Sequence, residues 1–279
     1  MYSLERLCTA LDISVSGYYA WKKRPESKRK QQNREVVEQI KLIHQQSRQT
    51  YGSPRVYVDL KEKGITCSEN RVAKLMKSHQ IAANRKRKFV VTTDSNHDLP
   101  VAENKLSQDF TASNPNQKWV TDITYIWTTE GWLYLAVVLD LFSRKVVGWS
   151  MNASMERGLV IDALRMALLD RKPPEGLLHH SDRGSQYASN DYQQILNDYG
   201  ITCSMSRKGN CYDNAVMESF FATLKQELIY RQPYRSRQDT KQDIFEYIQV
   251  WYNRKRKHST LQYLSPEQFE NKKQSAMAA

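Results

Sequence analysis

The sequence contains few cysteines and no long apolar segment, and both features exclude classes of protein. Its four cysteines, Cys8, Cys67, Cys203 and Cys211, lie far apart and form no CxxC pair, which argues against a zinc ribbon and against a secreted disulfide scaffold. No apolar run approaches the roughly 18 residues of a membrane span. The first residues also lack the charged-then-apolar order of a signal peptide. We therefore expect a soluble, cytoplasmic protein with reduced thiols.

Acidic residues are scarce relative to basic ones, and the imbalance is uneven along the chain. There are 42 Lys and Arg against 30 Asp and Glu, a net charge of +12. Residues 1–105 have a net charge of +10, whereas residues 106–279 have a net charge of +2. This distribution favours a polyanion-binding module in the front half, although a basic chain can also be merely soluble.

Apolar residues at helical spacing predict several short helices in the front half. Two are expected between residues 4 and 24, and a longer one over residues 33–47. Between residues 51 and 80, two helices are predicted around a break at Gly64, with Ser68 as the N-cap of the second. A helix, a glycine turn and a capped helix are typical of a helix-turn-helix, although an ordinary helical hairpin has the same pattern.

A basic run beyond these helices favours DNA as the partner; it consists of Arg85, Lys86, Arg87 and Lys88. Residues 92–116 are polar and contain two prolines, which is typical of a linker. We therefore expect a helical DNA-binding region with helix-turn-helix elements over residues 1–84 and a basic linker over residues 85–116.

The back half has the pattern of an α/β domain. β-rich runs at residues 120–127, 132–141 and 146–151 predict an antiparallel meander. The elements expected after it are a helix over 155–169, a strand over 177–180, a helix over 191–198, a strand over 201–204, and helices over 214–228 and 239–253. This order fits a ribonuclease-H-like, mixed five-stranded sheet flanked by helices. We place a catalytic core at residues 117–235 and a C-terminal helix with a basic tail at residues 236–279.

Three acidic residues occupy positions in this domain that suggest chemistry. Asp122 lies inside a predicted strand, where an aspartate is disfavoured and costly to bury as an anion. Asp182 follows the next predicted strand directly, and the carboxyl ends of strands commonly carry ligand groups in α/β sheets. Glu218 lies on a predicted helix that would bring it to both if the helix crosses the sheet. Each acid also has an ordinary explanation: a strand edge, a turn residue and an exposed helix residue.

Convergent carboxylates without a cationic partner repel one another, and a metal ion resolves that conflict. Oxygen-only ligands suit hard cations such as Mg²⁺ or Mn²⁺. Two such ions can activate an attacking hydroxyl and stabilise the leaving oxygen in phosphoryl transfer. We therefore expect Asp122, Asp182 and Glu218 to be both the catalytic residues and the metal ligands.

The segments around these acids resemble the integrase-type core of insertion-element transposases, specifically the second reading frame (OrfB) of the IS-three family. The matching stretches are WVTDITY at 119–125, HSDRGSQY at 180–187 and SRKGNCYDNA at 206–215. Between Asp182 and Glu218 lie 35 residues, the separation that names this catalytic signature, and Lys225 supplies its basic residue seven positions after the glutamate. In the front half, SVSGYY at 14–19 and YGSPR at 51–55 also resemble the family's amino-terminal region with its helix-turn-helix element.

The resemblance implies DNA cleavage and strand transfer at the ends of an insertion element, with two Mg²⁺ or Mn²⁺ ions per active site. It also implies double-stranded DNA as the partner and a homo-oligomer on that DNA. In this family the active form is usually a frameshift fusion with an upstream reading frame (OrfA), which supplies recognition of the terminal repeats. The chain is then expected to be the catalytic part of such a fusion.

Basic residues near the acids and in the tail are candidates for DNA contact. Lys225 shares a helix face with Glu218, two turns away, and we expect it to contact DNA near the cleaved end, with an ion pair as the alternative. Arg183 and Lys208 flank catalytic segments and are candidates to hold phosphates, with solvated surface as the alternative. The densest cluster in the tail consists of Arg254, Lys255, Arg256 and Lys257.

Four further residues receive structural interpretations. Asp140 is expected to be a turn or structural acid, and Asp213 is expected to cap the helix of Glu218. His179 and His180 are neighbours on a strand and point to opposite faces, so they cannot readily share one metal ion.

The sequence is compatible with two classes of function. The first is the recombinase described above, and the second is a non-catalytic DNA-binding regulator of the same element. The three acids favour the enzyme, because a pure DNA-binding protein does not need buried acids at this spacing. A nuclease of the ribonuclease H type is a weaker alternative, since a simple hydrolase does not need a basic DNA-docking module.

Overall fold

The computed structural model describes residues 3–83, 100–207, 210–231 and 235–278 of the chain. Those residues belong to two compact units, Met1–Ala83 and Asn84–Ala279. The predicted basic run Arg85–Lys88 and Lys208 lie outside the described residues. None of the described helices is both long enough and apolar enough to cross a membrane.

The first unit consists of helices in its described part. They are α1 (Leu4–Ala10), α2 (Val15–Lys23), α3 (Lys28–Gln46), α4 (Ser53–Glu62) and α5 (Glu69–Ser78). α3 packs against α4 and α5. The buried apolar side chains of these three helices are Val36, Val37, Ile40, Ile43, Val56, Leu60, Val72, Leu75 and Met76.

A serine is the N-cap of α1, α2, α3 and α5. The Oγ of Ser68 accepts a hydrogen bond from the backbone N–H of Arg71 at 3.3 Å, which confirms the predicted cap of α5. α3 begins at Lys28 rather than at the predicted residue 33, because the Oγ of Ser27 accepts from the N–H of Lys30 at 3.3 Å and caps the helix there.

The second unit contains a mixed sheet of five strands in the order β3-β2-β1-β4-β5. β1 (Lys118–Thr128), β2 (Gly131–Asp140) and β3 (Val146–Asn152) form an antiparallel meander. β4 (Leu178–Ser181) pairs in parallel with β1, and β5 (Thr202–Met205) pairs in parallel with β4. This architecture confirms the predicted ribonuclease-H-like fold.

Helices surround the sheet. They are α6 (Arg157–Arg171), α7 (Ser185–Ala188), α8 (Asn190–Asp198), α9 (Ala215–Glu227), α10 (Arg237–Glu246) and α11 (Pro266–Ala278), with a π-helical turn at Tyr247–Tyr252 that continues α10. α6 crosses the sheet at Gly148 of β3, where an added Cβ would lie 2.2 Å from the carbonyl oxygen of Ala163. Only glycine permits this close approach.

One face of the sheet packs on α6, α7 and α8. Trp119, Ala136 and Val138 belong to this core, and Ile123 packs against it. Because side chains alternate along a strand, Asp122, which precedes Ile123, points to the other face. α9 packs against the same strand, β1.

The predicted linker is, in its described part, a packed segment rather than a solvated spacer. Leu106 is only 1% exposed. The backbone N–H groups of Lys105 and Leu106 donate to the Oγ of Ser204 on β5, at 2.9 and 3.2 Å. The prediction of a linker over residues 85–116 is therefore corrected for residues 100–116, because a buried leucine and buried hydrogen bonds attach this segment to the sheet edge.

The C-terminal segment belongs to the same compact unit as the sheet. The side-chain amide of Asn253 accepts from the N–H of Val146 at 3.0 Å and donates to its carbonyl oxygen at 2.9 Å. Glu270 on α11 accepts from Arg171 at 2.9 and 3.0 Å and from the Oγ of Ser143 at 2.7 Å. These contacts tie residues 236–278 to β3 and α6, so the predicted tail is part of the folded unit.

Candidate active site

The parallel register of β1 and β4 brings two of the predicted acids together. Val120 is opposite His180, and the two strands keep this offset over three consecutive pairs. The same offset places Asp122 beside Asp182, each two residues beyond the last pair. Neighbouring strands are separated by about 4.8 Å, so the two aspartates lie side by side where β4 ends.

Asp122 is half-buried and lies in a field of negative charge. Its Oδ1 accepts from the N–H of Ile123 at 2.7 Å. Burial raises the pKa of Asp122 well above its usual range, the Asp182 carboxylate raises it further, and Glu218 adds a smaller contribution in the same direction. The two aspartates therefore form the closer pair, with Glu218 beside them.

Asn214 brings the helix of Glu218 to the aspartates. Its side-chain Nδ2 donates to the carbonyl oxygen of Thr121 at 3.0 Å, one residue before Asp122. Glu218 follows Asn214 by four residues and therefore lies on the same helix face, one turn further along α9. Glu218 is half-buried, and this burial raises the pKa of its carboxyl group.

Lys225 lies on α9 about two turns beyond Glu218, near the acids. Its Nζ is 4.9 Å from the centroid of the Tyr125 ring. Burial lowers the pKa of its ammonium, and the Asp122 carboxylate acts in the opposite direction. The structure thus places the predicted basic residue within electrostatic reach of the first aspartate.

The donor set of this site fits a hard divalent cation. Asp122, Asp182 and Glu218 are all carboxylates. Burial and, after it, repulsion among the three raise the pKa of Asp122, and a bound cation would relieve that repulsion. Among the described residues, no three His, Cys, Asp or Glu side chains converge closely enough to coordinate one metal ion as they stand. The three acids are therefore neighbours that do not yet form a complete coordination sphere.

The turn after β4 holds Asp182 in place. The N–H of Gly184 donates to Oδ1 of Asp182 at 2.9 Å. The Nε of Arg183 donates to the carbonyl oxygen of Ser206 at 2.6 Å, which joins this turn to the segment after β5. One of the predicted phosphate contacts, Arg183, therefore also has a structural contact.

Comparison with known proteins connects this geometry to a family. Two family models described as "Integrase core domain" match residues 112–211 and 218–273, and one described as "HTH-like domain" matches residues 31–89. The chain is 46% identical over 266 residues to "Insertion element IS600 uncharacterized 31 kDa protein" of Shigella sonnei, covering 95% of this chain and 98% of that protein. It is also 46% identical over 273 residues to "Transposase InsF for insertion sequence IS3A" of Escherichia coli strain K12, covering 97% of this chain and 95% of that one.

The chain belongs to the IS3 family of insertion-sequence transposases. It is a polynucleotidyl transferase of the DDE type that acts in DNA transposition. The fold is also that of a chain in a simian T-cell lymphotropic virus intasome, with a TM-score of 0.50 at 15% identity, covering 84% of this chain and 74% of that one.

Asp213, which the sequence predicted to cap α9, instead holds the turn that leads into this helix. Asp213 of this transposase does not cap α9, since the N-cap is Asn214. Its buried carboxylate accepts from the backbone and guanidinium of Arg207, and from the side-chain amides of Asn104 and Gln108 at 2.9 and 3.0 Å. The hydrogen bonds from Arg207 lower the pKa of Asp213. The packed segment before β1 therefore braces the turn Cys211–Asn214 that leads into α9.

The two histidines of β4 are structural and neutral. His179 is paired with the hydroxyl of Tyr192 at 2.6 Å, whereas His180 is paired with the hydroxyls of Ser204 and Ser206 at 2.8 and 3.1 Å. Burial lowers the pKa of His179 to about 3 and that of His180 to about 4. The expectation that they do not share one ion agrees with these separate contacts.

The tail cluster divides into exposed and interior residues. Arg254 and Lys255 are exposed. Arg256 is only 6% exposed, and its guanidinium binds the carboxylate of Glu227 on α9 through three hydrogen bonds of 2.9 to 3.0 Å. Lys257 is also buried. The predicted phosphate contact is therefore corrected for Arg256, because its charge is neutralised inside the protein.

Asp140 is the structural acid that the sequence predicted. It is fully buried and accepts from the N–H groups of Asn116 and Phe142 at 2.8 and 2.9 Å. Arg171 lies 3.4 Å from its carboxylate. These contacts connect the packed segment before β1 with the end of β2.

Sequence reasoning missed three residues that position this site. They are Asn214, which attaches α9 to β1, and Asn104 and Gln108, which hold Asp213. The signal for Asn214 was present, because it precedes Glu218 by one helical turn. The amides Asn104 and Gln108 lie about a hundred residues from their partner, and no local pattern relates them to it.

Proposed function

We propose that Asp122, Asp182 and Glu218 are the catalytic carboxylates of this transposase and that together they hold two divalent cations, Mg²⁺ or Mn²⁺. The observation that carries the proposal is the shared register of β1 and β4, together with the bond from Asn214 to Thr121. The register supports a shared site because it sets Asp122 beside Asp182, and the hydrogen bond supports it because it attaches the start of the Glu218 helix to the strand of Asp122.

The chemistry is phosphodiester cleavage followed by strand transfer. In the first step, water attacks a phosphorus atom at the element's end, the bond to the 3′ oxygen breaks, and that oxygen leaves as a hydroxyl. In the second step, this hydroxyl attacks another phosphodiester and displaces its 3′ oxygen. Cations held by Asp122, Asp182 and Glu218 would activate the attacking oxygen and stabilise the leaving oxygen.

The protein's own residues orient the DNA and hold the acids. The ammonium of Lys225 lies over the ring of Tyr125, on the strand that carries Asp122, and would hold a scissile phosphate near the carboxylates. Arg183 offers a second contact on the neighbouring turn, and Arg254 and Lys255 offer exposed positive charge. Lys208 and Arg85–Lys88 are further candidates for phosphate contact, by charge alone.

The chain acts on double-stranded DNA as a homo-oligomer and as the catalytic part of a fusion with the upstream reading frame. The DNA-binding part of this proposal is supported by the match to an HTH-like domain over residues 31–89. The fusion and the oligomer rest on the resemblance to the family alone.

The deciding experiment compares carboxamide variants in joining of element ends. The full chain, alone and fused to the upstream frame, is incubated with Mg²⁺ and a plasmid carrying both ends of the element. We expect joined product from the wild type and none from Asp122→Asn, Asp182→Asn or Glu218→Gln. Asp198→Asn, which changes an exposed acid on α8, is the matched control and should retain activity.

Metal binding gives an independent readout. Titration with Mn²⁺ followed by electron paramagnetic resonance should show weaker binding in the three variants and unchanged binding in the control. Wild-type DNA binding without any joined product, in both the chain and the fusion, would instead favour the non-catalytic regulator. Full activity in any of the three variants would exclude that residue from the site.

A further inference from the structure

The β1–β2 hairpin extends beyond both of its neighbours in the sheet. β4 ends at Ser181, which the parallel register places opposite Thr121, so β1 continues past β4 as far as Thr128. On the other side, the pairing of β2 with β3 begins only at Tyr134, opposite Asn152. In the described sheet, residues 125–133 therefore pair only within the hairpin.

The two faces of this protruding part differ in burial. One face is buried and consists of Thr124, Ile126, Thr128 and Leu133. The residues between them point the other way, because side chains alternate along a strand. They form two directly opposed pairs, Tyr125 with Tyr134 and Trp127 with Trp132. We call these four residues the aromatic face; its tryptophans are 48% and 41% exposed.

The rings of the aromatic face are held by contacts with one another. The ring centroids of Trp127 and Trp132 are 4.7 Å apart at 76°, and those of Tyr125 and Trp132 are 5.0 Å apart at 86°. Edge-to-face contacts of this kind are favourable and fix the orientation of the rings. Tyr134 packs against the core under α6, α7 and α8 and anchors the array. A contiguous exposed apolar patch on a soluble protein marks a binding surface.

The aromatic face begins beside the candidate active site. Tyr125 and Trp127 follow Asp122 by three and five residues, which corresponds to about 10 and 16 Å along the strand. The Nζ of Lys225 lies 4.9 Å from the centroid of the Tyr125 ring. Successive nucleotides of a stacked strand rise by about 3.4 Å. A DNA strand with a phosphate at Asp122 would therefore reach these rings about three to five nucleotides away.

Positive charge borders the aromatic face at both ends. Lys225 lies at the end nearer to Asp122. Near the hairpin turn, the Nε of Arg237 donates to the carbonyl oxygen of Trp132 at 3.2 Å, and its backbone N–H donates to the carboxylate of Glu130 at 2.8 Å. Exposed rings combined with cations are the features that bind single-stranded nucleic acid, since bases stack on the rings and phosphates pair with the cations.

We propose that the aromatic face stacks unpaired bases of the DNA, about three to five nucleotides from the phosphate at the acids. Trp127 and Trp132 provide the stacking surface, and Lys225 and Arg237 face the backbone phosphates. Paired bases hide their faces within the duplex, so the ligand is a locally opened DNA end. Only the distance to the scissile phosphate rests on the proposed function. Stacking requires none of the three acids and no metal, so binding without divalent metal separates the two failures.

The test compares three fluorescent duplexes of the element's end, with the full chain and without divalent metal. One is fully paired, one ends in a fork of about five unpaired nucleotides, and one has the same fork built from abasic sites. An unpaired base avoids the cost of unpairing. We therefore expect the wild type to bind the fork about tenfold more tightly than either other duplex. Trp127→Ala and Trp132→Ala should each lose this preference and bind the paired duplex like the wild type.

Two further substitutions separate stacking from apolar contact. Trp127→Tyr retains a ring and should keep most of the preference, whereas Trp127→Leu retains apolar surface without a ring and should lose it. The matched control is Tyr199→Ala, which removes an exposed ring at the end of α8 and should leave the preference unchanged.

Equal wild-type affinities for the fork and the abasic fork would overturn the proposal. So would a Trp127→Leu variant that binds the fork like the wild type, because leucine offers no ring for a base. If Trp127→Ala instead keeps the preference and reduces self-association in sedimentation equilibrium, the aromatic face contacts a second copy of the chain and not DNA.

Discussion

Replacement of Arg256 by alanine should lower the stability of this transposase and leave its affinity for DNA unchanged. The carboxylate of Glu227 is only 7% exposed and accepts from Arg256, from the hydroxyl of Tyr247 at 2.9 Å and from the indole N–H of Trp251 at 3.3 Å. Burial alone would raise the pKa of Glu227, but Arg256 reverses this effect and the net pKa is lowered. The substitution removes the cation and leaves the anion buried.

The cost follows from that geometry. Breaking a buried ion pair from one side costs about 3–5 kcal/mol. For a unit the size of residues 84–279, this loss lowers Tm by roughly 6–20 °C. Thermal unfolding followed by circular dichroism measures it directly. Arg254→Ala is the matched control. The Arg254 side chain is 62% exposed, and its ion pair with the partly exposed Glu267 is long, at 3.7 Å. This substitution should change the free energy of unfolding by no more than about 0.5 kcal/mol.

The pH dependence gives a second check on the same pair. Because the pKa of Glu227 is lowered in the folded protein, the pair contributes stability above the ordinary glutamate pKa, and this contribution is lost as pH falls through the folded pKa. The difference in Tm between wild type and Arg256→Ala should therefore shrink in acid. If Arg256→Ala unfolds like Arg254→Ala at neutral pH and instead loses DNA affinity, the assignment of Arg256 to the interior is wrong.

Three further outcomes are expected. His179 and His180 are neutral in the folded protein, with pKa values of about 3 and 4, so stability is retained above pH 6.5 and falls below it. Urea unfolding should show that the free energy of unfolding decreases by about 2 kcal/mol per histidine between pH 6.5 and 5. A free energy of unfolding that does not change over this range would contradict the burial of the two rings. Asp213→Asn should slow end joining while Mn²⁺ binding persists, because the turn Cys211–Asn214 that leads into α9 loses its anchor. Wild-type joining rates in this variant would exclude a bracing role for Asp213. DNA affinity should decrease steeply with salt, and a flat response in anisotropy would count against phosphate contacts.

Local patterns predicted the helices and strands and indicated three acids as candidates for the active site. Alternating strands, a capping serine at position 68 and buried apolar positions on α3 are properties of neighbouring residues, so the sequence alone predicted them. The motifs around Asp122, Asp182 and Glu218, with 35 residues between the last two acids, indicated the resemblance to the family before any geometry was known. The order of strands and helices then indicated the ribonuclease-H-like sheet.

Tertiary structure decided the roles of individual charges. Arg256 belongs to a basic run by composition, yet it pairs with Glu227, 29 residues earlier in the chain. Asp213 had the position of a helix cap, yet it accepts from Asn104 and Gln108, more than a hundred residues away. Residues 100–116 had the composition of a linker, yet they pack on the sheet edge.

The physical reason is the range of each interaction. Backbone preference, capping and periodicity act within about one or two turns, so the sequence by itself determined where helices and strands form. A charge is assigned to solvent or to the interior by partners that only the folded chain brings near. The sequence therefore determined which residues could perform chemistry, and the tertiary structure decided which of them meet.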